Sequence, residues 1–297
     1  MVGAWYTSLT MKNLFRKLLR LTQFDVFFWP LASSISLGCL IAASQNILAQ
    51  ISNSLGILCV VMAAFAFGTI EDAPLDALAE GRNPDNPVSN GHLSIPDAWR
   101  LSIFLAAMGL IFSSITSRST FLANLGVLIV GGFYFHHALR LRQSLILDAL
   151  GFSILTSFLP FLSTANLSSV QFGSNSLVTG SLAFFLAYTS YFSLVQSQEK
   201  RMADGNTRPK VSGVILLASV PIVIATLFIF TFSRLVPTWV SVLMLVLFLI
   251  MLYPQFTRCT SIQGETYLHA IFAIYQRALV IALATFFLAT QLFNNIR

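Results

Sequence analysis

Two aspartates four residues apart, Asp72 and Asp76, carry the clearest chemical potential in this chain of 297 residues, and Glu71 adjoins them. On a continuous helix such a pair projects from one face. Paired carboxylates are hard oxygen ligands. They can hold Mg2+, which in turn binds phosphate oxygens. Pro74 lies between them and can end or kink the helix before they converge. The spacing is common in helices and does not by itself define a site. Its surroundings are more telling. The stretch 68–94 reads GTIEDAPLDALAEGRNPDNPVSNGHLS and holds Glu71, Asp72, Asp76, Glu80 and Asp85 of the chain's eleven acidic residues, between long apolar segments. Carboxylates hung between membrane spans are costly to keep without a task. After them, Asn83, Pro84, Asn86, Pro87, Ser89, Asn90 and Gly91 supply turn chemistry, which predicts an ordered loop that reverses direction. Elsewhere the signals are weak. Cys39, Cys59 and Cys259 have neither zinc nor redox spacing, and the four histidines form no ligand motif.

The elements that must position these residues are membrane helices. Charged residues make up 9% of the chain and hydrophobic ones 56%, which excludes an ordinary soluble domain. Apolar runs near membrane-crossing length, without strict alternation, predict helices rather than barrel strands. Nine spans are expected, at about 24–45, 50–70, 98–117, 119–139, 144–164, 176–196, 211–232, 236–254 and 268–293. One membrane domain then covers 24–293, after an N-terminal segment 1–23. With the N-terminus inside, 13 of the 17 Lys and Arg face the cytoplasm and 3 face out, with Arg277 in the last span. The positive-inside rule therefore predicts a cytoplasmic N-terminus, in the plasma or inner membrane if the source is prokaryotic. Topology accounts for the net charge of +6, so no nucleic-acid partner is implied. In the N-terminal segment, Leu14, Phe15, Leu18 and Leu19 alternate with Lys12, Arg16, Lys17 and Arg20. That pattern suits a short helix lying in the cytoplasmic interface, basic groups toward anionic lipid. It suits a plain start to the first span equally well.

Three inside loops are polar: 68–97, the turn after the fourth span with Tyr134, Arg140, Arg142 and Asp148, and 196–210. The outside loops are short and nearly uncharged. This one-sidedness predicts a cavity opening to the cytoplasm.

At this point the whole chain resembles the UbiA-type intramembrane prenyltransferases. These have nine transmembrane helices, two Asp-rich cytoplasmic motifs and a central cavity for a prenyl diphosphate and its acceptor. Their first motif, Asn-Asp-x-x-Asp-x-x-x-Asp, falls on Gly68, Thr69, Asp72 and Asp76. A following stretch like Arg-Pro-Leu-Pro-Ser-Gly-x-Ile-Ser falls on Asn86, Pro87, Val88, Ser89, Asn90, Gly91, His92, Leu93 and Ser94. Tyr134, Arg140 and Arg142 fit the family's turn after the fourth span. The departures are as specific as the match. Gly68 and Thr69 replace Asn-Asp, and Asn86 replaces Arg. The second motif, Asp-x-x-x-Asp-x-x-x-Gly, anchored on Gly205, falls on Ser197 and Arg201, so both of its carboxylates are missing.

The resemblance implies transfer of a prenyl group from a prenyl diphosphate to a lipophilic acceptor, an aromatic or a lipid. Asp72, Asp76 and Glu71 would then hold Mg2+, with Arg140, Arg142, Lys200, Arg201 and Tyr134 on the diphosphate. Guanidinium forks suit diphosphate oxygens, so Arg201 or Lys200 can replace a second metal ion as a fixed cation. Two other readings stay open. One is a terpene cyclase, which needs the same ionisation and no acceptor. The other is a non-catalytic membrane protein that binds a quinone, carotenoid or prenyl lipid, because a degenerate site on a kept fold is a common outcome.

Overall fold

The computed structural model describes residues 11–42, 46–78, 86–136, 139 and 145–165. Within them every regular element is helical. The order is α1 (Met11–Leu21), α2 (Phe24–Ile41), α3 (Ile47–Leu78), α4 (Ile95–Thr116), α5 (Arg118–Phe135), α6 (Leu145–Ser153), a π-helical turn (Ile154–Phe158) and α7 (Leu159–Thr164). Among the described residues four helices are long and apolar enough to cross a membrane: Ile47–Ala77, Ile95–Thr116, Arg118–Phe135 and the composite Leu147–Thr164. Val26–Cys39 is a shorter apolar helix. The first five expected spans thus fall on helices. The other four lie outside the described residues, as does the polar loop 196–210.

α3 is the axis of this part of the fold. It is the most buried of the four long helices, and α4 is the least. The inner face of α3 carries Ile57, Val60, Val61, Ala63, Ala64 and Phe65, all buried. They pack with Phe27 and Leu31 of α2, Leu105 of α4, Val127 of α5, Phe152 of α6 and Leu155 of the π turn. Small residues set the close crossings, as in membrane bundles generally. A Cβ on Gly109 would lie 2.7 Å from the Gly56 carbonyl oxygen, which draws α3 and α4 together.

The turns follow from local chemistry. Ser117 is the sole residue between α4 and α5. Its amide closes the end of α4 on Ser113, and its hydroxyl accepts from the Thr120 amide at the start of α5. Ser94 caps α4 in the same way, its Oγ accepting from the Asp97 amide, with Pro96 in the first turn, where its missing N–H costs nothing. Pro160 lacks the N–H that would continue the ladder, and the π turn directly precedes its helix.

Two features differ from the simplest sequence reading. α3 runs past residue 70 to Leu78, so Glu71, Asp72 and Asp76 are helical and Pro74 does not end the helix. Pro74 is exposed, and it leaves the Ile70 carbonyl without its usual helical donor. The break between α1 and α2 falls at Gln23, a non-glycine residue in the left-handed region with φ 49°. α1 is therefore a separate helix and not the first turns of the span.

Candidate functional site

Asp72 and Asp76 share one face in the last turns of α3, both half-buried. The end of α5 lies against the same stretch. His136 Nδ1 is 3.7 Å from Glu71 Oε2. One turn earlier on α3, Gly68 meets the Phe135 ring. A Cβ built on Gly68 would come within 2.2 Å of that ring, so only glycine fits without displacing Phe135.

Asn86 ties the following loop to this end of α3. It is 4% exposed and uses its whole amide. Nδ2 donates to the Thr69 carbonyl at 3.1 Å and to Asp76 Oδ2 at 2.6 Å. Oδ1 accepts from the amides of Val88, at 2.9 Å, and Ser89, at 3.3 Å. The reversal is completed by Leu93 N to Pro87 O at 2.9 Å and by Gly91, whose φ of 69° suits glycine. Two contacts from the N-terminal segment reach the same region. Gln23 Nε2 donates to Thr69 Oγ1 at 3.2 Å, and Lys17 Nζ donates to the His92 carbonyl at 2.8 Å.

A second polar pair lies close by in the fold. The Tyr134 hydroxyl donates to Asp148 Oδ1, with both residues buried. Gly151, three residues beyond Asp148, makes the room: a Cβ there would fall 2.3 Å from the Tyr134 ring. Tyr134 also packs edge-on against Phe135, their ring centroids 4.6 Å apart. Phe135 in turn meets Phe65, which contacts Phe27 and Phe152. This aromatic cluster meets α3 at Phe65 and Gly68, two turns and one turn before Asp72.

The expected site residues are placed as follows. Glu71 faces His136, and Asp76 is held by Asn86. Asp72 sits one turn before Asp76 on the same face, and Tyr134 pairs with Asp148. Arg140, Arg142, Lys200 and Arg201 lie outside the described residues. Among the described residues no group of three His, Cys, Asp or Glu is gathered for a metal ion. Mg2+ commonly takes only one or two carboxylates, with water and substrate phosphates completing its shell. Asp72 and the second oxygen of Asp76 suit that arrangement.

Three positions that depart from the resembled motif turn out to be connected. Gly68 admits Phe135, Thr69 meets Gln23 and Asn86, and Asn86 holds Asp76. The roles of Asn86, Phe135 and Gln23 are not foreseen from sequence. Gly68 is marked there only as a departure, Asn86 as a departure and a turn residue, and Gln23 carries no signal at all.

No family model and no curated protein sequence matches the chain. Solved structures do. A UbiA homologue from Archaeoglobus fulgidus bound to GPP and Mg2+ matches with TM-score 0.61 and 21% identity, over 91% of this chain and 99% of that one. A UbiA homologue from Aeropyrum pernix K1 matches with TM-score 0.60 and 17% identity, over 88% and 98%. A digeranylgeranylglyceryl phosphate synthase matches with TM-score 0.62 and 12% identity, over 91% and 97%. At these identities the likeness is one of fold, and the fold of this multi-pass, all-α chain is that of the UbiA homologues.

Proposed function

We propose that this chain transfers a prenyl group from a prenyl diphosphate to a lipophilic acceptor within the membrane. The observation that carries the reading is the Asp72–Asp76 face at the end of α3, with an aromatic cluster one to two turns back along the same helix. The reading is supported by the fold shared with UbiA homologues described as bound to GPP or DMAPP with Mg2+. In it, Asp72 and Asp76, with Glu71 nearby, hold Mg2+ beside the diphosphate. The ion, when bound, neutralises charge that develops on the leaving pyrophosphate. Arg140, Arg142, Lys200 and Arg201 grip the same oxygens as fixed cations, and Tyr134 lines that side. The C1–O bond of the allylic diphosphate breaks and its electron pair leaves with pyrophosphate. The acceptor then bonds to C1 and releases a proton. The cavity opens toward the cytoplasm, where positive-inside counting puts the N-terminus.

A non-catalytic reading is favoured by one observation, the capture of an Asp76 oxygen by Asn86, together with the missing carboxylates at Ser197 and Arg201. A cyclase reading shares the ionisation and differs in product. Purified protein incubated with geranyl or farnesyl diphosphate and Mg2+ separates all three. Pyrophosphate release with a prenylated acceptor is the expected result. Release with a cyclic product means a cyclase. No release with any diphosphate, with or without metal, overturns the enzymatic readings.

A further inference from the structure

α1 presents three edges. Leu18 packs against the core and Leu21 is fully buried, which fixes the helix to the bundle. Lys17 turns to the His92 carbonyl. Among the described residues nothing covers the third edge. Arg16 and Arg20, one helical turn apart, are both exposed, and Phe15 beside them is 60% exposed. The sequence of α1, MKNLFRKLLRL, contains four basic residues and no acidic one. Neither guanidinium forms an ion pair among the described residues. An exposed aromatic ring next to two guanidiniums that have no counter-ion among the described residues suits a surface that is apolar below and anionic above.

We propose that this edge of α1 is a docking surface for anionic phospholipid. Arg16 and Arg20 grip acidic headgroups through their forked donors, and Phe15 inserts beneath them among the acyl chains. Zwitterionic lipid offers the same phosphate with its charge already offset. The preference is therefore for net negative headgroups and weakens at high salt, where the Debye length falls from about 10 Å to about 3 Å. The proposal does not depend on the catalytic reading.

The test uses the full chain carrying Phe15→Trp in phosphatidylcholine bilayers doped with phosphatidylglycerol, with the wild type as background for its native tryptophans. Brominated phosphatidylglycerol should quench the added tryptophan about fivefold more strongly, per brominated lipid, than brominated phosphatidylcholine. Arg16→Gln with Arg20→Gln should bring the two to equality, and Arg16→Lys with Arg20→Lys should keep most of the difference. Equal quenching in the Phe15→Trp protein, or an undiminished preference after both glutamine changes, overturns the proposal. Native mass spectrometry gives the same comparison without the tryptophan. The wild type should retain phosphatidylglycerol over phosphatidylcholine and the double glutamine variant should not. Equal retention in the wild type counts against the docking surface.

Discussion

The two ends of the helical bundle both bury polar side chains, and they do so differently. At the end where α3 starts, Asn53 Nδ2 donates to the Ser163 carbonyl at 2.7 Å and Ser163 Oγ returns a bond to Asn53 Oδ1 at 3.0 Å. Thr120 Oγ1 reaches the same carbonyl at 3.3 Å, so three neutral groups tie α3, α5 and α7 together. Gln50 adds a bond to the Ala42 carbonyl at 2.6 Å. At the other end, Asp76 accepts from Asn86, Asp148 accepts from Tyr134 and Glu71 lies by His136, with Asp72 one turn before Asp76. Neutral groups away from water need only hydrogen bonds, and helix ends supply them. Carboxylates cost more to desolvate and need compensation that the described residues give only in part. The difference supports placing the proposed site at the carboxylate end, with the neutral end as scaffold. The scaffold end is not perfect, since Gln50 Oε1 and both amide atoms of Asn124, one turn along α5 from Thr120, are buried without a partner among the described residues.

The largest contrast should come from cutting one carboxylate. Asp72→Ala should reduce pyrophosphate release by at least about 100-fold with little loss of folded protein. Asn53→Ala should leave turnover per folded molecule unchanged. Comparable losses in both variants would erase the distinction between the ends.

Tyr134→Phe should follow. It strips a buried carboxylate of its hydroxyl donor and should destabilise the protein by about 2–3 kcal/mol in an SDS unfolding titration. A change near zero would mean that Asp148 is served by its other contacts.

Gly68→Asn, which writes the resembled motif back into the chain, should destabilise by about 1–3 kcal/mol because its side chain meets Phe135. Adding Phe135→Ala should relieve that overlap, so the double variant should fall short of the sum of the two single losses. Strict additivity would show that the ring and position 68 do not compete. Asn53→Ala itself should cost about 1–2 kcal/mol on the same scale. Arg100→Gln should cost no more than about 0.5 kcal/mol, because its 3.0 Å pair with Asp97 is solvent-exposed.

Much of the fold was legible before the structure. Spans expected at 98–117 and 119–139 correspond to α4 and α5, and the sharp turn between them falls at Ser117. Hydropathy works here because a membrane helix must satisfy its own backbone, leaving the apolar run as the main local requirement. Helical period placed Asp72 and Asp76 on one face for the same local reason. Pro74 left that placement open, and the continuation of α3 to Leu78 resolved it. The site was less legible. Asn86 reads in sequence as a turn residue and a missing arginine, yet in the fold it divides its amide between the loop and Asp76.

By itself the sequence determined the membrane class, the first helices, the carboxylate spacing and the amphipathic character of α1. These depend on composition and on periods of a few residues. Only the tertiary structure decided that Phe135 fills the space over Gly68, that Tyr134 reaches Asp148 through room left by Gly151, and that Gln23, Thr69, Asn86 and Asp76 form one chain of hydrogen bonds. Those pairings join residues on separate elements. Which side chains meet is set by how close the helices approach and by their rotation about their own axes, and no local pattern encodes either.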